Sequence, residues 1–190
     1  MKGTVALAAA LILAGLSTGD APPAASPKAA MDETPTIREP RVVVSKQARE
    51  LALYDGPTLR KKFRIALASD APGRKEREGD RRTPEGTFYV CTRNAGSRFH
   101  KFLGVSYPGP DDAARGLAAK RISKAEHDAI VEAHRTKSCP PWKTRLGGEV
   151  GIHGGGSGRD WTMGCVALEN DAVDELWATL RLGDPIVIEP

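Results

Sequence analysis

Residues 41–67 leave little choice of local structure. Val42, Val43 and Val44 follow one another, Leu51 and Leu53 alternate with Ala52 and Tyr54, and Phe63, Ile65 and Leu67 alternate with Arg64, Ala66 and Ala68. Branching at Cβ suits an extended chain, and a period of two buries one face of a strand while wetting the other. Asp55-Gly56 separates the second and third runs. Both residues tolerate positive φ, so the pair is a hairpin signal. Three strands this close together predict an antiparallel sheet.

The remaining strand signals are spread along the chain. Thr83-Pro84-Glu85-Gly86 reads as a turn, after which Thr87 to Thr92 resumes a strand. Phe99 to Tyr107 is a further strand, stopped by Pro108-Gly109-Pro110. Glu149 to His153, Met163 to Leu168 and Pro185 to Ile188 complete the set. Helical signals fall between them. Asp111 to Lys120 holds a short helix, and Ser123 with Glu126 forms a capping box for a second one ending near Lys137, with Ala125, Ile130 and Ala133 facing inward. Asn170 is placed to cap a last helix, whose Val173, Leu176, Trp177 and Leu180 recur at helical spacing before Gly183 ends it. Twenty glycines and fourteen prolines in 190 residues support a turn-rich, mainly β domain.

The first forty residues read differently. Met1-Lys2 followed by the apolar run Val5 to Leu16 and small residues through Ala25 has the pattern of a secretory signal peptide, and the run is too short to span a bilayer. Residues 26–40 are rich in Pro, Ala, Ser and Thr and read as a disordered linker. The expected organisation is therefore a signal at 1–25, a linker at 26–40 and one domain at 41–190. The formal charge of +4 is small, and bases are interleaved with acids, so no nucleic-acid partner is indicated. A membrane enters only through the export signal. The loop Asp70 to Arg82 carries many charges, either as a solvated surface or as one wall of a cleft for a charged substrate. His127 and His134 lie seven apart on the second helix and are too few for a zinc site, so no metal is expected.

The chemistry concentrates between Gly151 and Asn170. His153 ends a short apolar run, Cys165 follows Gly164, and a glycine-rich loop joins them. A free thiol titrates at about 8.5, so a nucleophilic cysteine near neutral pH needs a base. An imidazole within reach takes the proton and can return it to a leaving amine. Gly164 lets the chain bend before Cys165, so that backbone amides face a developing oxyanion. A buried structural cysteine beside a strand-ending histidine is the alternative.

Taken in order, these pieces resemble the catalytic domain of the L,D-transpeptidases, the YkuD-like family of cysteine enzymes that act on peptidoglycan. The resemblance covers about Arg41 to Glu189. It is carried by the opening hairpin, by Thr83-Pro84-Glu85-Gly86-Thr87-Phe88, by Ile152-His153-Gly154, by Thr162-Met163-Gly164-Cys165 and by the closing strand after Gly183-Asp184. The segment from Phe99 to Asp112 is similar to a branch of the family with shortened catalytic motifs. Three departures stand out. Met163 occupies the place of the usual histidine before Gly-Cys, Ala167 that of a residue often Arg or Asn, and only twelve positions separate His153 from Cys165.

The resemblance implies a β-sandwich-like fold with a helical insert and a helix after the cysteine strand. It implies Cys165 as nucleophile, His153 as general base and acid, and Gly164 as a backbone oxyanion donor. Gly154, Arg159 and Thr162 become candidate substrate contacts, peptidoglycan stem peptides the partner, and no cofactor is implied. The expected reaction is acylation by a tetrapeptide stem with loss of terminal D-alanine, then transfer to an amine, in the periplasm or envelope. Water at the same cysteine would make the chain a carboxypeptidase, endopeptidase or amidase. An inactive wall-binding module and a general secreted cysteine protease are the rivals. An oxidising compartment favours bridged cysteines. With Cys165 free, Cys91 and Cys139 are expected to form a disulfide, two unpaired thiols being the competing reading.

Overall fold

Apart from the isolated Gly3, the computed structural model describes residues 36–190. The expected signal peptide and most of the linker lie outside the described residues. The compact unit runs Pro35–Pro190, so it takes in the end of that linker. Ile37 packs on the core, and the Arg38 and Glu39 amides donate to Asp55 Oδ1 at 3.1 and 3.0 Å.

Three helices and eight strands make up the unit. In chain order they are β1 (Pro40–Ser45), β2 (Glu50–Asp55), β3 (Thr58–Arg64), β4 (Gly86–Asn94), β5 (Phe102–Val105), α1 (Pro110–Ala118), α2 (Lys124–Arg135), β6 (Gly151–His153), β7 (Val166–Ala167), α3 (Asn170–Thr179) and β8 (Pro185–Glu189). The spatial order is β3-β2-β1-β8-β4-β5-β6-β7. β1, β2 and β3 form the expected antiparallel meander, turning at Gly56 with φ 54°. The last strand then enters the middle of the sheet, parallel to β1 and antiparallel to β4. β6 and β7 are the second parallel pair.

The sheet curls until its ends meet. Ala66, just past β3, forms an antiparallel bridge with Ala167 of β7. The Ala66 amide donates to the Ala167 carbonyl at 2.8 Å, and the reverse bond is 2.9 Å. Inside the curl lie Val42, Val44, Leu51, Leu53, Ile65, Val90, Ile152, Val166 and Ile186. Burying each such side chain contributes roughly 1.5–3 kcal/mol. α3 closes the core with Val173 and Leu176. A second cluster (Ala113, Ile122, Ile130 and Leu146) holds the α1–α2 insert together.

The helix boundaries refine the expectations. The capping box of α2 forms, with the Glu126 amide donating to Ser123 Oγ at 3.2 Å and the Ser123 amide to Glu126 Oε2 at 2.7 Å. Such a cap is worth about 1 kcal/mol. Ile130 and Ala133 are buried as expected, whereas Ala125 is exposed. Glu169, not Asn170, is the N-cap of α3, and the Asn170 side chain instead accepts the Gly155 amide at 2.9 Å. α3 ends at Thr179 with Leu180 as its C-cap, ahead of Gly183. His134 donates from Nε2 to the Ser106 and Pro108 carbonyls at 2.8 and 3.1 Å, which pins α2 to the chain after β5. Cys91 of β4 and Cys139, beyond α2, form a disulfide with Cα atoms 4.9 Å apart. It ties the insert to the sheet.

Candidate active site

The Cys165 loop includes a backbone approach that only glycine permits. Gly164 has φ 120°, and a Cβ there would lie 2.9 Å from the Arg82 carbonyl. The loop is anchored further by the Leu67 carbonyl, which accepts the Trp161 and Thr162 amides at 2.8 and 3.0 Å. Asp160 adds a third tie, accepting the Leu67 amide at 2.8 Å while pairing with Arg49 at 2.7 Å. Gly164→Ala is expected to cost about 1–3 kcal/mol through backbone strain and to slow iodoacetamide labelling of Cys165. Thermal melts and labelling rates of the variant check both.

Cys165 is the free cysteine and is half-buried one residue before β7. β6 and β7 pair in parallel with His153 opposite Ala167, so Cys165, just ahead of β7, lies two positions before the residue that faces His153. The Sγ atom lies 3.6 Å from the Glu149 carbonyl, its hydrogen-bond acceptor. Glu149 itself adopts φ 53°, the left-handed region, where a non-glycine residue is uncommon. Burial pushes the Cys165 thiol above its ordinary range. The Gly151 amide and the Lys75 ammonium work against that rise, and the Glu149 carboxylate adds to it.

His153 is almost fully buried. Its Nδ1 lies 2.7 Å from the Gly154 carbonyl oxygen. A carbonyl only accepts, so Nδ1 carries the proton and Nε2 keeps its lone pair. Burial pushes the imidazole below its ordinary range, partly offset by this hydrogen bond. Both shifts favour an uncharged thiol beside an uncharged imidazole.

The ring is enclosed by aromatic side chains. Phe99 stacks on it at 4.7 Å between centroids with an interplanar angle of 22°. Trp161 approaches edge-on at 5.6 Å, and Phe102 lies 6.5 Å away. Phe102 comes this close because Gly151 has no side chain; a Cβ there would sit 2.3 Å from its ring.

The three candidate substrate contacts differ in their surroundings. Gly154 is buried, its amide donating to the Phe99 carbonyl at 3.0 Å. Thr162 is buried too; its hydroxyl donates to the Cys165 carbonyl at 2.8 Å and accepts the Gly164 amide at 3.4 Å. That hydroxyl shapes the cysteine turn from within. Arg159 is exposed.

The loop from Asp70 to Arg82 is more than a solvated surface. Lys75 and Asp80 are paired at 2.9 Å with both side chains almost wholly buried. Burial works to raise the Asp80 carboxyl, but the Glu76 and Arg77 amides, Lys75 and the Arg82 amide together hold it below the ordinary carboxylate range. Through the Arg82 carbonyl and the Lys75 charge this loop reaches Gly164 and Cys165. Sequence reasoning missed Lys75, Asp80, Phe99 and Trp161. The signal for the first pair was a charged loop whose acid could turn back on its own amides. For the aromatic pair it was glycine spacing that leaves room for rings. A cavity of about 630 Å³ lined by Lys46, Arg49, Thr83 and Glu85 includes neither Cys165 nor His153, and Lys46 is paired there with Glu85 at 2.6 Å.

A curled, mainly β sheet that carries a backbone-oriented histidine on one strand and a free cysteine at the entry to the neighbouring strand defines the class. The sequence model of the L,D-transpeptidase catalytic domain, YkuD, matches residues 39–188, and the chain belongs to that family. It is similar to the Escherichia coli (strain K12) protein named Putative L,D-transpeptidase YafK, at 26% identity over 157 residues, covering 77% of this chain and 50% of the relative. The chain thus spans about half the length of the curated relatives it matches. Among solved structures it resembles the helical cell shape determining protein Pgp2 from Campylobacter jejuni, with a TM-score of 0.55 and 21% identity over 79% of this chain and 47% of that one. Bd1075 from Bdellovibrio bacteriovorus gives a TM-score of 0.51 and 19% identity, covering 83% and 50%. These structural likenesses establish the fold. Among the described residues, no helix is long and apolar enough to cross a membrane.

Proposed function

We propose that the chain is an exported cysteine acyltransferase acting on peptidoglycan stem peptides, the activity of its family. The observation that carries this reading is the His153 tautomer. With Nδ1–H held by the Gly154 carbonyl, Nε2 keeps its lone pair as a base, and β7, which pairs with the His153 strand, is entered from a free thiol.

In the acylation step, Cys165 Sγ attacks the carbonyl that joins the third stem residue, a diamino acid, to terminal D-alanine. His153 Nε2 takes the thiol proton as the S–C bond forms. Charge collects on the carbonyl oxygen, where the Cys165 amide stabilises it together with the Gly164 amide, which gives up its long contact to Thr162 Oγ1. The C–N bond then breaks, and the imidazolium returns its proton to the departing amine of D-alanine. An amine resolves the thioester in transfer, and water would resolve it in hydrolysis. Incubating the protein with purified muropeptides, followed by mass spectrometry, separates cross-linked dimer, trimmed stem and no reaction. No reaction, with a thiol inert to carbapenems, would leave a wall-binding module in its place.

The uncharged ground state has a consequence for pH. Attack needs neutral His153, whose pKa burial has lowered from 6.5. The acylation rate should rise through an inflection below pH 6.5 and then stay level, because burial holds the thiol above its ordinary range. Folded stability follows the same group. The unfolded imidazole binds protons first as pH falls below about 6.5, so the native state loses this contribution on the acid side. An inflection above pH 6.5 in stopped-flow acylation would contradict the burial argument.

A further inference from the structure

We propose that Phe99 is a positioning residue for the general base, its ring and its backbone together holding the His153 imidazole in the orientation Cys165 requires. The inference rests on the dyad chemistry above. Phe99 acts on the base twice. Its ring lies over the imidazole face at 4.7 Å and 22°, an offset-stacking geometry. Its carbonyl accepts the Gly154 amide at 3.0 Å, and the next atoms along that backbone, the Gly154 carbonyl, receive His153 Nδ1–H at 2.7 Å. One residue therefore fixes both the plane of the ring and the acceptor that selects its tautomer.

The surroundings explain why such a clamp is needed. No carboxylate orients His153 among the described residues. Asp174 is taken by His100 and Lys101 at 2.7 and 2.6 Å, Glu169 by Ser157 at 2.7 Å, and Asp160 by Arg49. Arg98 lies over Phe99 at 4.7 Å from its centroid. A single hydrogen bond to a neighbouring carbonyl does not by itself stop the imidazole turning about its side-chain torsions. A flat ring against its face does. Trp161 braces the arrangement, 5.4 Å from Phe99, with its own Nε1–H held by the Gly156 carbonyl at 3.0 Å. Phe99 and Trp161 both lie outside the buried core cluster, so their packing serves the base rather than the sheet.

The test compares Phe99→Leu and Phe99→Tyr in the full chain, reading iodoacetamide alkylation of Cys165 and acylation by muropeptide across pH. Phe99→Leu should slow both by about 10- to 100-fold, the order expected when a reacting group is misplaced. Its acid inflection should move up toward the ordinary imidazole range while KM changes by less than about twofold. Phe99→Tyr, which keeps the ring, should recover most of the rate. Unchanged rates in Phe99→Leu would overturn the proposal. So would equal losses in the two variants with an unmoved inflection. Alkylation needs no stem peptide, so failure of the substrate assignment would leave that arm intact. A measurement on the unmodified protein guards against a variant that does not fold. Long-range ¹H–¹⁵N spectra should show His153 as one Nδ1–H tautomer, and averaging of the two tautomers would overturn the inference.

Discussion

Cys165→Ala is expected to form no acyl-enzyme with muropeptides or a carbapenem and to release no D-alanine. It removes one sulfur from a half-buried position, so its stability should stay within about 1 kcal/mol of the parent. His153→Gln should leave a slow reaction, down by about 10²–10⁴, the usual contribution of a positioned base. No second imidazole can take over, because Met163 stands in the motif where the family usually has histidine and is exposed. Mass spectrometry of the acylated protein and a coupled D-alanine assay check both variants. Full turnover by Cys165→Ala would rule out the proposed mechanism.

Opening the disulfide should have the largest effect on stability. Cys91 and Cys139 are 48 positions apart. Closing a loop of that size removes unfolded-state entropy worth about 4 kcal/mol in the chain-entropy model. The Cys91→Ser, Cys139→Ser double variant should therefore lose up to about 4 kcal/mol in denaturant unfolding. The loss should concentrate at the join between the insert and the sheet, where Tyr89 Oη also donates to the Ala133 and Ser138 carbonyls at 3.1 and 2.7 Å. Thiol titration of the oxidised, denatured chain should find one group, and alkylation mapping should place it on Cys165. Three free thiols in protein from an oxidising compartment would remove the bridge and leave the catalytic proposal untouched.

Local chemistry made much of this protein legible in advance. The apolar pair Leu51 and Leu53 marked β2, and Phe63 marked the end of β3, whose Thr58–Lys62 part the alternation did not reach, because strand periodicity belongs to adjacent residues. The Ser123–Glu126 box marked α2 for the same reason, since its partners lie three apart. The cysteine and histidine were visible as residue types in a glycine-rich setting. Tertiary structure alone decided the rest. Placing β8 between β1 and β4 depends on pairs as distant as Val42 with Ile186 and Phe88 with Ile186, which no window of sequence contains. The Ala66–Ala167 bridge that curls the sheet joins two small residues with no signature of their own. Burial of Lys75 against Asp80 needed the fold to exclude water from a loop whose composition reads as solvated. The orientation of His153 was hidden most completely. The groups that hold His153 are the Gly154 carbonyl and the face of Phe99. Every residue carries a carbonyl, and a ring acts here only through where it stands, so these two constraints exist only once the chain has folded.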